Sequence, residues 1–290
     1  MTAIATVPRA GVRLRKVARR RETWFVVMAL PAILLLAALF AWPLLRLFWL
    51  SVADGTFAPY QKALGDGLYL QIFYETFRIA LIVTIVSLIL GYPVAWFLAN
   101  ASPLWSTLGF VFVLLPFWTS ILVRTYAWMV LLGRNGVFNR LLIDWGVIET
   151  PIRMLHNETG VLIGMVHVLL PYVVFPIYSA MVRIDRDLLV AADGLGAPAW
   201  RIFWRIYLPL SMPGVFAGAA LVFALSLGFV ITPALLGGGR VVMIAVVIEQ
   251  QVREFLDWPF AAALSALLLA STIAAYGLMN RFLVGRRDGP

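Results

Sequence analysis

Long apolar runs separated by short polar, arginine-bearing segments set the pattern of this chain. Six runs reach membrane-crossing length: about Trp24–Leu50, Phe73–Ala99, Leu104–Leu132, Gly160–Val182, Pro213–Leu236 and Phe260–Leu283. A helix rises ~1.5 Å per residue and the hydrocarbon of a bilayer is ~30 Å thick, so each run predicts one transmembrane helix. The first run follows a basic segment, as the core of a signal peptide does. It is too long for such a core and lacks a small-x-small cleavage site, so it predicts a retained span. Prolines at 31, 43, 93, 116, 171, 176 and 233 predict kinked spans. Segment 133–159 mixes polar and apolar residues and predicts a short interfacial helix anchored by Trp145. The expected fold class is all-α integral membrane: six transmembrane helices in one domain, residues 24–283, after a basic tail of residues 1–23.

One segment departs from the pattern. Leu188–Gly214 reads LLVAADGLGAPAWRIFWRIYLPLSMPG and carries arginines among apolar residues. No 20-residue apolar span fits inside it, so it predicts a short helical hairpin at the membrane surface. Ala191 and Ala192 are small enough for close packing. Gly196 permits a turn that other residues resist. Pro209 lacks an N–H and is expected to end or redirect the second arm. Between them, Trp200, Phe203, Trp204 and Tyr207 recur at helical spacing and predict an aromatic face. Arg201 and Arg205, four apart, fall on another face.

Composition agrees with a membrane protein. The chain has 290 residues, of which 62% are hydrophobic and 13% charged. Soluble domains carry about 25% charged residues. Net charge is +9, but the arginines cluster at the ends of apolar runs, which is the signature of a cytoplasmic face rather than of nucleic-acid binding. The N-terminal segment, loop 183–212 and the C-terminal segment carry 7, 4 and 3 Lys or Arg. With six spans they share one side, so both termini and that loop are expected in the cytoplasm. Loop 133–159 holds Arg134, Arg140 and Arg153, which weakens the contrast without reversing it.

The chain has no cysteine and two histidines, His156 and His167. Disulfides and thiolate chemistry are excluded, and no metal site or cofactor is expected. The lysines, Lys16 and Lys62, follow Arg15 and Gln61. A phosphate-binding loop needs Gly before Lys and Ser or Thr after it, so any ATP used comes through another polypeptide.

The spacing within the loop carries a family resemblance. Ala191-Ala192, three residues, Gly196, nine residues, Ile206, one residue and Leu208-Pro209 resemble the EAA loop of ABC-importer permease subunits, at the same place before the penultimate span. LVRTYAWMVLLGRNGVFN (Leu122–Asn139), GVIETPIRML (Gly146–Leu155), LLPYVVFPIYSAM (Leu169–Met181) and LDWPFAAALS (Leu256–Ser265) resemble the spermidine/putrescine permease family. The likeness covers roughly residues 70–283. It implies the type I ABC importer permease fold, polyamine as cargo and a bacterial inner membrane. It also implies a complex with a second homologous permease, two copies of an ATPase subunit and a periplasmic substrate-binding protein. Ala191, Ala192, Gly196, Trp200, Phe203, Leu208 and Pro209 are then expected to couple the chain to the ATPase. The family's Glu at the head of the loop is Val190 here, and Asp187 or Asp193 stands near enough to substitute.

Candidates for the substrate pathway are Arg124, Tyr126, Trp128, Tyr172, Glu249 and Asp257. An arginine within a span is costly and defaults to a functional role with a partner. Aromatic π faces suit cations, and carboxylates near a pore mouth attract them. No Asp or Glu sits at the centre of a span, which fits selectivity held in a separate binding protein. It also disfavours the alternative class, an ion-coupled secondary transporter, which needs such a group. Within the importer class, another small organic solute or an iron complex is the alternative cargo.

Overall fold

The computed structural model describes residues 10–52 and 55–284, with side chains over 28–278 apart from 53 and 54. The described residues form helices α1 (Ala10–Ser51), α2 (Ala58–Gly65), α3 (Gly67–Asn100), α4 (Pro103–Trp118), α5 (Ile121–Leu132), α6 (Val137–Asp144), α7 (Glu158–Val182), α8 (Arg186–Gly194), α9 (Ala199–Ile202), α10 (Leu208–Leu227), α11 (Ile231–Gly237), α12 (Ile244–Arg253) and α13 (Trp258–Val284). A π-helical turn, Phe203–Tyr207, joins α9 to α10. Residues 1–9 of the expected tail lie outside the described residues, while from Ala10 onward the basic segment is already part of α1.

Five helices are individually long and apolar enough to cross a membrane: Met28–Ser51, Gly67–Asn100, Glu158–Val182, Ala199–Leu227 and Trp258–Leu278. The expected third span, Leu104–Leu132, is not one rod. It breaks between Trp118 and Ile121 with a bend of 102°. Pro116 removes one N–H from the ladder at this point, and Thr119 and Ser120 take extended backbone. The fifth span also differs from expectation. It does not begin near Pro213 but runs unbroken from Ala199 through α9, the π turn and α10 to Leu227, and the chain then restarts as α11.

Helices α3, α7 and α10 form the core. Ile79, Val83, Met165, Leu169, Val173, Ile177 and Val222 interlock there and are fully or almost fully buried. Close approach needs small residues, as membrane helices lack a hydrophobic drive between them. At Gly214 a Cβ would lie 2.5 Å from the Pro176 carbonyl, so α10 rests directly on the backbone of α7. A second cluster of Ala63, Ile244, Val247, Phe260 and Leu264 ties α2, α12 and α13 together. Helix α1 packs on α13 and leaves most of its apolar surface open, including Phe40, Trp42 and Trp49.

The bundle has two distinct ends. At one, Arg78 of α3 bonds Glu158 at the start of α7 at 2.7 Å, and the backbone N–H of Ile244 donates to Thr76 Oγ1 at 2.8 Å. At the other, Asn100 at the end of α3 bonds Tyr207 at 3.1 Å. The α4–α5 pair starts beside the second end, where Ser106 Oγ donates to Leu98 O at 2.8 Å. It finishes at the first end. There buried Asn139 donates to Gly133 O and Ile152 O and accepts from Ile152 N, all within 3.1 Å, which pins the 133–159 segment ahead of α7. Loop positions were therefore set by capping side chains as well as by apolar burial. Asp66, Asn157 and Asp185 each accept a backbone N–H at the head of α3, α7 and α8.

Candidate functional site

The 183–212 loop projects from the second end. Asp185 caps α8 by accepting from Asp187 N at 3.0 Å. The helix stops in a Schellman turn: Ala197 N–H donates to Ala192 O at 3.1 Å and Gly196 N–H to Asp193 O at 2.8 Å. Gly196 has φ +79° and open space around the position of a Cβ. Backbone conformation, not crowding, therefore demands glycine here. Ala191 is exposed and Ala192 half-buried, so the small pair borders the turn that Ala192 itself closes.

The second arm differs from the expected short helix ending at Leu208-Pro209. Pro209 stands at the second position of α10 and the helix passes through it. A proline ring clashes with the carbonyl four residues back, here Arg205, and leaves it without its α-helical donor. The preceding turn is widened to π geometry, with Leu208 N–H bonded to Phe203 O, and so accommodates the ring without a break. Such π turns inside α-helices occur often at functional places.

The expected aromatic face divides in two. Trp200 and Trp204 are 63% and 62% exposed and point away from the bundle, with Arg201 over the Trp200 ring. Phe203 and Tyr207 turn inward. The Phe203 ring meets Tyr92 edge-on at 6.1 Å, and Tyr207 is almost fully buried. Leu208 is half-buried and Pro209 exposed. Leu195, which the sequence reading passed over, is 89% exposed at the tip of the turn. Its signal was available: a large apolar residue lodged between two glycines in a surface turn.

The pathway candidates separate as well. Arg124 and Tyr172 share a cavity of about 250 Å³ at the broken span, with Phe117, Thr119, Leu169 and Phe229 among its walls. The Arg124 guanidinium donates to Thr119 O at 2.8 Å, to Thr119 Oγ1 at 3.2 Å and to Pro116 O. It thus donates to both carbonyls at the break, of which Pro116 O also accepts from Thr119 N and Oγ1. Trp128 lies elsewhere, donating Nε1–H to His167 Nδ1 at 3.1 Å and stacking on Phe138. Tyr126 is exposed. Glu249 is paired with Arg253 at 2.9 Å, and Asp257 with Lys62 at 3.9 Å. Asp257 also accepts from Phe260 N at 3.1 Å at the head of α13. Both carboxylates have structural partners, and the broken-span cavity is not lined by Tyr126, Trp128, Glu249 or Asp257. The ionic cluster of Arg78 with Glu75 and Glu158 was missed by sequence reading, because Glu158 stands 80 residues from Arg78, although Glu75 is its i,i+3 neighbour.

With this geometry in place, likeness to known proteins becomes decisive. The family of binding-protein-dependent transport system inner membrane components matches residues 80–286. The chain belongs to this family. The spermidine/putrescine transport system permease protein PotB of Haemophilus influenzae is 39% identical over 223 residues, covering 76% of this chain and 78% of that protein. PotB of Escherichia coli K12 is 41% identical over 203 residues, covering 70% and 74%. A chain of the bacterial alginate ABC transporter, solved in complex with an alginate pentasaccharide-bound periplasmic protein, superposes with a TM-score of 0.67. It has 17% identity, covers 95% of this chain and 98% of that one, and speaks for the fold. This transport-system component is thus a multi-pass inner membrane protein, and its matched region takes in both the broken span and the projecting loop.

Proposed function

We propose that this chain is the permease subunit of an ATP-driven importer and that its cargo is a polyamine. The observation that carries the reading is the projecting loop. It is a rigid Schellman turn that presents Leu195, Trp200 and Trp204 to a partner and is continuous with a membrane-crossing helix. Exposed aromatic and aliphatic anchors on a rigid element are what a docking surface requires. The PotB relatives supply the cargo class.

The loop engages an ATPase subunit, present in two copies in the complex, since neither lysine of this chain lies in a phosphate-binding loop. Ala191, Ala192 and Gly196 shape the docking turn, Trp200 contacts the partner, Phe203 and Leu208 hold the arm to the bundle, and Pro209 sets the π turn that joins arm to span. A second homologous permease completes the pore, and a periplasmic binding protein delivers cargo at the opposite face. With the bent α4–α5 pair as one crossing, the termini and the loop lie in the cytoplasm, as the basic residues direct. Arg124 and Tyr172 line the pathway at the broken span, where the guanidinium is held on backbone carbonyls and the faces of Phe117, Tyr172 and Phe229, rather than the arginine, are the surface offered to a cation. Tyr126, Trp128, Glu249 and Asp257 have weaker claims on the pathway.

The test is reconstitution of the chain with its partners in proteoliposomes. ATP-dependent uptake of labelled putrescine or spermidine is expected. Uptake of another organic solute or an iron complex in its place would replace the cargo. Uptake driven by an ion gradient without ATP would sink the importer reading.

A further inference from the structure

The 29-residue helix Ala199–Leu227 has a mechanical weak point where it leaves the docking loop. Its π turn lacks the regular ladder, and Pro209 contributes no N–H at the same level. A push on the loop would bend the helix there before reaching α10. Two hydrogen bonds cross this neck. Asn100 Nδ2 of α3 donates to Tyr207 OH at 3.1 Å, on the π turn itself. Four residues on, Tyr92 of α3 and Ser211 of α10 share a bond of 2.9 Å. Its direction can be deduced. Ser211 Oγ spends its one proton on Leu208 O at 2.8 Å, so Tyr92 is the donor and Ser211 the acceptor. Ser211 is fully buried, which gives the Tyr92–Ser211 bond more weight than a surface contact, while Asn100 reaches the almost fully buried Tyr207 from the exposed end of α3. The Tyr92 ring also meets Phe203, so one tyrosine touches both sides of the π turn.

We infer that Tyr92, Asn100, Tyr207 and Ser211 splint the π-helical neck to α3, so that movement of the docking loop is delivered to α3 and α10 together. Both helices pack on α7, so all three core helices receive the displacement. A cavity of about 290 Å³ lies between α8 and the ends of α3 and α7, with Asn100 and Tyr207 in its wall. These four are positioning residues. They touch neither nucleotide nor cargo, and their role rests on the proposed docking of an ATPase at the loop.

The experiment uses the reconstituted complete complex and compares Tyr92→Phe/Tyr207→Phe, Ser211→Ala and Asn100→Ala with the unaltered chain. Three quantities are read: ATPase co-purification, ATP hydrolysis, and polyamine uptake per ATP hydrolysed. Co-purification and hydrolysis are expected to stay within about twofold, while uptake per ATP falls about fivefold to tenfold, the scale of one or two lost hydrogen bonds. Asn100→Asp, whose carboxylate accepts from the Tyr207 hydroxyl, is expected to recover most of the coupling lost in Asn100→Ala. Unchanged uptake per ATP, or hydrolysis and uptake falling in proportion, overturns the splint. Ser211→Ala and Asn100→Ala keep the test decisive should the double variant fail to fold. Failure of the docking reading looks different: the unaltered chain itself would retain no ATPase.

Discussion

At Gly196 the backbone occupies the left-handed region, φ +79°, with nothing near the place of a Cβ. Any L side chain there faces backbone strain and no steric clash. Gly196→Ala is expected to weaken the loop by about 1 kcal/mol and lower ATP-driven uptake while insertion is unchanged. Membrane fractionation with an uptake assay checks this. Bulk adds nothing in the isolated chain, so a larger loss with Gly196→Trp would locate the partner surface at the turn. Arg124 is held by different means. Its guanidinium caps carbonyls of Pro116 and Thr119 at the break. Arg124→Met leaves them without that donor, and a loss of about 1 kcal/mol is expected, read as a lowered thermal midpoint in detergent. An unchanged midpoint would make the arginine dispensable to the bend. The charge of Arg124 was visible in the sequence as an anomaly within an apolar run. Its acceptors were not, because they exist only once the helix breaks.

Among the elements, the arm of the loop departs furthest from expectation. Proline at 209 suggested a terminus, since an isolated helix interior resists it. Tertiary packing of Tyr207 and Ser211 outweighed that local preference, and the chain widened one turn to keep the helix whole. Pro209→Ala restores the missing N–H and is expected to convert the π turn to α geometry. Removing one residue's worth of slack rotates Trp200 and Trp204 by about 100° relative to α10. Cross-linking from position 200 or 204 to the ATPase is expected to change pattern, and an identical pattern would mean the turn has another cause. Close helix contacts are equally specific. Gly214→Val places a side chain against the Pro176 carbonyl, where even a Cβ would lie at 2.5 Å. Separation of α10 from α7 and a loss of about 1–3 kcal/mol are expected, seen as reduced folded yield. Gly214 sits in an apolar run, where nothing local distinguishes a contact glycine from one facing lipid.

For the whole molecule, the arrangement of ends makes topology testable. The chain has no cysteine, so Leu195→Cys introduces a single thiol at a site 89% exposed. A membrane-impermeant thiol reagent is expected to label it in permeabilised cells but not in intact ones. Labelling from outside would invert the proposed orientation and remove the loop from the ATPase. The open apolar face of α1 belongs at this scale too. Phe40, Trp42 and Trp49 remain uncovered by the described residues, as suits a helix that meets lipid.

Apolar runs and the spacing from Ala191 to Pro209 were sufficient to establish an all-helical membrane permease of the ABC-importer type, with a loop ahead of its penultimate long run. Those properties depend on solvent and on local sterics: hydrocarbon thickness selects run length, the charge of the cytoplasmic leaflet favours arginine, and a left-handed turn favours glycine. Prolines marked the places of the break and of the π turn, but tertiary structure decided that the third span bends by 102°, that the helix stays whole through Pro209, and that Phe203 and Tyr207 rotate inward. It likewise decided the pairing of Arg78 with Glu158 and of Tyr92 with Ser211, which are 80 and 119 residues apart. Each of these arises from one helix answering another across the bundle, and a periodic pattern records only which side of a helix is apolar, not which neighbour it will meet.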